Sequence, residues 1–261
     1  MIGSLTGDIV GSIYEWDNLK STEFPLFSEN CFFTDDSVLT VALAESILTG
    51  QRYCSLLKEY YLRYPDAGFG GRFLDWAEST NPMPYNSFGN GAAMRISPVG
   101  WAYDSIGEVL EKAKLYTEVT HNHEEGVKGA QAVAVAIFLG RTRATKAEIK
   151  SYITNSFGYD LSRSCDEIRP TYKFDETCQG TVPQAFAAFL ESHDFESAIR
   201  LAVSLGGDTD TLACITGSIA EAYYGGVPTD IHQKTLSYLD DGLLQVTTRF
   251  VQKFGIGKLE R

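Results

Sequence analysis

The hydrophobic and polar positions along this chain follow helical spacing far more often than strand spacing. Three long runs carry apolar residues on more than one face, which is typical of buried helices: Val38–Leu48, Val127–Leu139 and Thr211–Tyr224. Six further segments predict amphipathic helices: Ser55–Tyr64, Ile106–Thr117, Lys146–Ile153, Thr181–Leu190, Phe195–Leu205 and Gln233–Val251.

Strand-type alternation of apolar and polar residues is scarce. The one segment that could be extended is Arg169–Thr177. Strands and helices do not alternate along the chain, so the sequence does not predict a parallel sheet. Two loops, Trp16–Phe33 and Asn81–Gly91, are longer than typical connections and are therefore candidates for function. Neither loop separates regions of different composition. We predict an all-α fold, a compact orthogonal multi-helix bundle, in a single domain of residues 1–261.

Composition and charge narrow the classes of partner. The 261 residues are 44% hydrophobic and carry a net charge of −12, which argues against non-specific nucleic-acid or anionic-membrane binding. Five cysteines without C-x-x-C spacing predict reduced thiols and no structural zinc site. The N-terminus does not resemble a signal peptide, and the longest apolar stretch, near Gln131–Gly140, is too short to span a bilayer. We expect a cytoplasmic protein and take a monomer as the default.

Two clusters of acidic and hydroxyl residues each open a predicted helix. They are Thr34-Asp35-Asp36-Ser37 and Asp208-Thr209-Asp210-Thr211. One such residue would suffice as a helix N-cap, and capping is the alternative interpretation of each cluster. Four carboxylates with several hydroxyls form a set of hard oxygen donors that suits Mg²⁺, Mn²⁺ or Ca²⁺. If the clusters meet in the fold, they can hold two metal ions for hydrolysis.

The second cluster follows Gly206 and Gly207, which allow a sharp turn and a close approach to a ligand. On a helix, Asp208 and Thr211 share a face because they are three residues apart, whereas Asp210 should point elsewhere. The cluster could therefore contact two metal ions, or one metal ion and its water.

The N-terminal segment combines small residues with two acids. Gly3, Gly7 and Gly11 lie four apart and predict a flat helical stripe against which another helix can pack closely. We interpret Asp8 as a buried residue hydrogen-bonded to backbone. Glu15 lies at the start of the long loop and is a candidate general acid or base.

A glycine-rich turn at Ser87–Arg95 runs into small residues, as a phosphate cradle with free backbone N–H groups would require. It lacks the spacing of a Walker A loop, and an ordinary turn remains the alternative. Phe88 could stack on a base or plug the core. His121 could donate a hydrogen bond to a substrate, whereas His123 is interpreted as a surface residue at a helix start and Asp194 as an N-cap.

These motifs, in this order, resemble the ADP-ribosylglycohydrolase family over nearly the whole chain. The resemblance runs through Gly7–Glu15, Thr34–Ser37, Gly89–Arg95, Thr120-His121 and Ser204–Ala213. It implies a compact all-α fold with a dinuclear Mg²⁺ or Mn²⁺ centre. By motif position it implies these metal ligands: Thr34, Asp35, Asp36, Asp208, Asp210 and Thr211. It implies that the substrate is bound by Ser87, Phe88, Gly89, Asn90, Gly91, Ala92, Met94 and His121.

The resemblance further implies hydrolysis of the bond between ADP-ribose and an acceptor, with a protein side chain or a small-molecule ADP-ribose conjugate as substrate. An activated water would attack the anomeric carbon, and either Glu15 or Asp36 would handle the proton. Arginine is the first expectation for the acceptor; serine, O-acetyl-ADP-ribose and a nucleobase stay open. Two alternatives remain: a catalytically silent ADP-ribose-binding protein, and a helical metallophosphohydrolase, which would need more histidines than these four.

Overall fold

The computed structural model describes residues 1–257, so residues 258–261 of the predicted domain lie outside the described residues. A short 3-10 turn, Ser12–Tyr14, follows the first helix. The α-helices are α1 (Ile2–Gly11), α2 (Asp35–Thr49), α3 (Tyr53–Arg63), α4 (Gly71–Glu78), α5 (Gly91–Met94), α6 (Ser97–Ala102), α7 (Ile106–Thr117), α8 (Glu124–Arg141), α9 (Lys146–Phe157), α10 (Cys165–Ile168), α11 (Cys178–Glu191), α12 (Phe195–Leu205), α13 (Thr209–Tyr224), α14 (Thr229–Leu236) and α15 (Asp241–Phe254).

The all-α prediction is confirmed. Within residues 1–257 the β-type pairing is one isolated antiparallel bridge between Gly89 and Thr177, at the end of the segment that the sequence left as possibly extended. No helix in this described part of the chain combines the length and apolarity needed to cross a bilayer. One hydrophobic core draws on helices from α1 to α15.

The structure corrects one predicted helix and adds short ones. The segment predicted as one helix, Gln233–Val251, forms α14 and α15 with a break between them. The break follows from capping, because the Asp240 side chain accepts a hydrogen bond from the Leu243 N–H at 2.9 Å and starts α15. Helices α4, α5, α6 and α10 are too short to show a helical period in the sequence.

The predicted glycine stripe packs α1 directly against α13. A Cβ atom added at Gly7 would lie 2.0 Å from the carbonyl oxygen of Ala213, and one at Gly3 would lie 2.2 Å from that of Gly217. Backbone meets backbone at these positions, so no side chain can move aside. At the end of α1, Gly11 lies against the backbone of Asp210. The stripe therefore places the loop that follows α1 beside the second acidic cluster.

We expect Gly7→Ala to lower the free energy of unfolding by about 3 kcal/mol or more, because the new methyl group would force α1 away from α13. Gly107→Ala is the matched control, since Gly107 lies in α7 with open space around its Cβ position. That change should raise stability by about 0.5–1 kcal/mol through helix propensity. Urea unfolding of both variants measures the difference, and equal effects would refute the close packing.

Asp8 is buried and hydrogen-bonded to backbone, as the sequence interpretation expected, and its partners lie at the start of α2. Its carboxylate accepts hydrogen bonds from the N–H groups of Thr34 and Ser37, at 2.9 and 3.0 Å, and from the Thr34 hydroxyl at 2.7 Å. Three donors compensate the burial of this carboxylate. The first acidic cluster is thereby held at a fixed position relative to α1.

Candidate active site

One cavity of about 470 Å³ lies where the loop after α1 meets the starts of α2 and α13. A volume of this size is in the range of small-molecule sites. Of the residues that the sequence analysis singled out, the cavity is lined by Glu15, Thr34, Asp35, Asp36, Ser87, Phe88, Gly89, Asn90, Gly91, Met94, His121, Asp208, Asp210 and Thr211. Ala92 is not among the lining residues.

The two acidic clusters differ in how they use their side chains at the helix starts. Thr34 caps α2, and its hydroxyl accepts a hydrogen bond from the Asp36 N–H at 3.3 Å. Asp208 stands at the N-cap of α13 but makes no capping hydrogen bond with its side chain. Instead its Oδ2 accepts a hydrogen bond from the Asn90 side-chain amide at 2.7 Å. Helix capping therefore explains why Thr34 stands at the start of α2. It does not explain why a carboxylate stands at Asp208.

Three carboxylates converge in the cavity. Glu15, Asp208 and Asp210 each offer an oxygen, and these oxygens lie within 4.8 Å of one another. The prediction that Asp210 points away from the face of Asp208 is wrong. Asp208 precedes the helix, with φ −77° and ψ 82°, so helical spacing does not apply to it.

Asp36 connects the first cluster to the second. Its Oδ2 accepts a 3.4 Å hydrogen bond from the Thr211 hydroxyl, whereas its Oδ1 is buried and has no hydrogen-bond partner among the described residues. Burial and the neighbouring carboxylates raise the pKa of Asp36 well above its ordinary value, and they do the same to Asp35 and Asp210. A buried acid without a partner is costly, and a bound cation would remove that cost.

The donor set therefore fits divalent metal ions. Carboxylate and hydroxyl oxygens are the ligands that Mg²⁺ and Mn²⁺ prefer, and the unpartnered Oδ1 of Asp36 gives one of them an unused lone pair. Glu15, Asp208 and Asp210 offer oxygens close enough to one another to share one cation.

Glu15, like Asp35, is only partly buried, whereas Asp36, Asp208 and Asp210 are buried. Burial, and then the charge of Asp208, raises the pKa of Glu15 to about 7. A carboxyl group with a pKa near neutrality can both take and give a proton at physiological pH.

Asn18 fastens the loop of Glu15 to the turn of Asp208. Its side-chain amide donates to the carbonyls of Tyr14 and Glu15, both at 2.8 Å, and its Oδ1 accepts from the Gly207 N–H at 2.6 Å. Gly206 and Gly207 adopt φ values of +70° and +76°, which glycine tolerates best. This explains the need for glycine before the acidic cluster.

The glycine-rich turn offers fewer free N–H groups than predicted. The Gly89 N–H donates to the Ser87 hydroxyl at 3.1 Å, and the Asn90 N–H donates to the Glu176 carbonyl at 2.8 Å. Ala92 is buried and its N–H donates to the Gly89 carbonyl at 3.2 Å, so it supports the turn from behind. The N–H of Met94 is likewise used within α5.

His121 lies at the cavity wall as a neutral imidazole. Burial, and then the charges of Arg95 and Arg72, lower the pKa of His121 well below its ordinary value. The Arg95 guanidinium donates to Nδ1 at 2.9 Å, so Nδ1 is an acceptor and the proton lies on Nε2. Nε2 is close to Gly89 and Gly91, where it can donate a hydrogen bond to a ligand on the turn.

Phe88 and His123 form an edge-to-face pair beside this turn, with ring centroids 5.2 Å apart. Phe88 is partly exposed and lines the cavity, so it is not a core plug. His123 caps α8, as expected of a residue at a helix start, and Asp194 caps α12.

The cavity has further lining residues. Four of them lie in segments that the sequence analysis named as candidates for function: Trp16, Phe32, Tyr85 and Arg95. The sequence analysis did not assign the others to a site: Leu39, Asp66, Ala67, Gly68, Gly70, Gly71, Arg72, Phe73, Phe174, Glu176 and Thr177. The glycines of the 66–72 segment were a usable signal, because they make it glycine-rich like the turn at Ser87–Gly91. The segment is fixed to α2 by a 2.7 Å hydrogen bond from the Asp35 N–H to the Ala67 carbonyl. The 174–177 segment carried no chemical motif, so only the fold reveals it.

The chain is similar in sequence or in fold to several known proteins. ADP-ribosylhydrolase ARH3 of Homo sapiens is 26% identical in an alignment that covers 97% of this chain and 93% of the relative. ADP-ribosylarginine hydrolase Tri1 of Pseudomonas putida is 26% identical, covering 90% of this chain and 72% of the relative. A solved structure of an ADP-ribosylglycohydrolase-related protein complex shares the fold, with a TM-score of 0.71 at 23% identity, covering 96% of this chain and 94% of that one.

The family model for ADP-ribosylglycohydrolase matches residues 1–257, the whole of the described chain. The match includes both acidic clusters and the glycine-rich turn, which the fold gathers around one cavity. The chain belongs to the ADP-ribosylglycohydrolase family.

Proposed function

We propose that the protein is a metal-dependent hydrolase that releases ADP-ribose from an acceptor and thereby reverses ADP-ribosylation. The observation that carries the proposal is the meeting of two acidic helix starts and a glycine-rich turn in one cavity. Membership of the family supports the general activity.

The metal ions would be held by the two acidic clusters. The carboxylates and hydroxyls concerned are those of Thr34, Asp35, Asp36, Asp208, Asp210 and Thr211. This donor set would hold two Mg²⁺ or Mn²⁺ ions, which would supply Lewis acidity for the activation of a water. Asn90 orients Asp208 through its amide, and Asp8 orients the start of α2. Such supporting hydrogen bonds keep ligands in place before the ion arrives.

The ADP part of the substrate would lie along the glycine-rich turn. The His121 Nε2–H is a neutral donor there, suited to a phosphate or ribose oxygen. Phe88 offers a partly exposed ring to the adenine base. Ser87, Gly89 and Gly91 present little bulk beside it, and Asn90 and Met94 complete the wall.

We assign the proton transfer to Glu15, one of the two carboxyl groups that the sequence left open. Its partial exposure gives it access to water, and its carboxylate lies within 4.8 Å of those of Asp208 and Asp210. In the proposed step, a water attacks the anomeric carbon while Glu15 accepts its proton. The bond to the acceptor breaks, and the acceptor leaves with the bonding electrons and gains a proton. Asp36 stays a structural and metal-binding carboxylate because it is almost fully buried.

We propose ADP-ribosyl-arginine as the first acceptor to examine. Tri1, a relative that covers 90% of this chain, is named an ADP-ribosylarginine hydrolase. Serine-linked ADP-ribose and O-acetyl-ADP-ribose are the comparison substrates. Each contains the same ribose, which would bind beside the acidic clusters in the same way.

The test is a product assay on an arginine-ADP-ribosylated protein, with Mg²⁺, with Mn²⁺ and with EDTA, beside the two comparison substrates. We expect free ADP-ribose from the arginine-linked protein in either metal and loss of release in EDTA. Free ADP-ribose from the serine-linked substrate alone would replace the acceptor and keep the reaction. Tight ADP-ribose binding without any release would support the silent binder, and released inorganic phosphate would support a phosphohydrolase.

A further inference from the structure

Two aromatic side chains stack on each other at the rim of the cavity. The rings of Trp16 and Phe174 have centroids 5.3 Å apart and planes inclined by 19°. Both line the cavity, although Trp16 is 82% exposed and Phe174 is 44% exposed. One face of the indole packs on Phe174, so its high exposure leaves the other face open to a ligand. Large exposed apolar surfaces at a cavity are typical of binding sites.

The stacked pair is located at the acidic end of the cavity. Trp16 directly follows Glu15, whose carboxylate lies with those of Asp208 and Asp210. Phe174 belongs to a segment that lies on the same turn, because the backbone at Lys173 lies 2.9 Å from the Cβ position of Gly207. The acceptor leaves from the carbon next to the acidic clusters, so it would pass beside this pair.

Hydrogen bonds hold the pair in place before any ligand binds. Asn18 fixes the Trp16 side to the turn at Gly207, as described above. Lys20 then bridges both sides, since its ammonium donates to the Tyr172 carbonyl at 2.8 Å and to the Leu205 carbonyl. A rigid aromatic surface loses little conformational entropy when a ligand binds to it.

The charges around the cavity favour a cationic ligand at this end. The acidic lining residues are Glu15, Asp35, Asp36, Asp66, Glu176, Asp208 and Asp210, and the basic ones are Arg72 and Arg95. Glu176 and Asp66 lie outside the proposed metal-ligand set, so metal ions would not directly neutralise them. Glu176 is exposed and is two residues from Phe174. The acidic residues that line the cavity outnumber the basic ones, so the cavity as a whole attracts a cation.

We propose that Trp16 and Phe174 form the acceptor subsite and that it takes a planar guanidinium group. A guanidinium stacks on an aromatic face and is attracted by the ring electrons, which neither a serine hydroxyl nor an acetyl ester matches. This inference rests on the proposed ADP-ribose hydrolysis and names the residues that choose its acceptor.

The experiment measures peptide binding in the Glu15→Gln background, which is expected to bind substrate without turning it over. The probes are one peptide ADP-ribosylated on arginine, the same peptide ADP-ribosylated on serine, and free ADP-ribose. Trp16→Ala should weaken binding of the arginine-linked peptide about tenfold and leave the affinities for the other two probes within about twofold. Trp16→Tyr should restore most of the loss. Leu115→Ala, another exposed apolar residue, lies away from the cavity and is the control.

Equal affinity of Trp16→Ala and its parent for the arginine-linked peptide would overturn the subsite. An equal loss for free ADP-ribose would also overturn it, because the pair would then contact ADP-ribose itself. Since these measurements record binding, they are separate from the product assay. Absence of ADP-ribose release by the wild-type protein would refute the proposed function, whereas an unchanged Trp16→Ala affinity refutes only the acceptor subsite.

Discussion

Asp36→Asn is expected to abolish the metal response of the protein while leaving its metal-free stability equal or higher. The unpartnered Oδ1 of Asp36 is buried among other carboxylates, so the substitution removes a repulsive charge from the metal-free protein. The substitution also removes the negative charge of a side chain that would bind the metal ion. We expect ADP-ribose release to fall about a thousandfold or more, since metal-ion stabilisation contributes several kcal/mol to such reactions.

The clearest readout of Asp36→Asn is the rise in Tm that Mn²⁺ causes. At a Mn²⁺ concentration a hundredfold above Kd, the free energy of unfolding of the wild-type protein should rise by about 3 kcal/mol, which raises its Tm. The free energy of unfolding of the variant should hardly change. Asp240→Asn is the matched control, because Asp240 also stands at a helix start but caps it, and asparagine caps equally well. If Mn²⁺ raised the Tm of Asp36→Asn as much as that of the wild type, Asp36 would not be a metal ligand.

Glu15→Gln is expected to lower kcat by about a hundredfold to ten-thousandfold, the usual contribution of a general acid or base. Asp36, Asp208 and Asp210 remain in this variant, so most of the Mn²⁺-dependent rise in Tm should persist. This combination distinguishes proton transfer from metal binding. Single-turnover release of ADP-ribose measures the rate without the contribution of product release.

Glu23→Gln provides the control for Glu15→Gln, because Glu23 is an exposed acid of the same loop that does not line the cavity. Its rate should match that of the wild type. A Glu15→Gln rate within a few-fold of the wild type would instead leave Asp36 as the carboxyl group that handles the proton.

The sequence predicted the parts of the site that depend on local rules. Thr34 and Asp208 were recognised at helix starts because such residues precede apolar runs, and the structure places both there. The glycine stripe was visible because its spacing of four is a helical period, and it does pack on α13. The long buried helices were found for the same reason.

What the sequence could not provide is the set of contacts made between distant segments. The orientation of Asp210 depended on the non-helical backbone of Asp208, which residue spacing cannot show. The hydrogen bond from the Asn90 N–H to the Glu176 carbonyl forms because a segment 86 positions away in the chain lies against the turn. Trp16 and Phe174 stack on each other from distant segments, which hydrogen bonds of Asn18 and Lys20 help to hold together.

The most direct test of the central claim is a titration of metal-free protein with Mn²⁺, in which bound ions and ADP-ribose release are measured on the same samples. The proposal predicts no release without metal and full release once two ions are bound per chain, because the two acidic helix starts serve one cavity. Undiminished ADP-ribose release from the metal-free protein would contradict it.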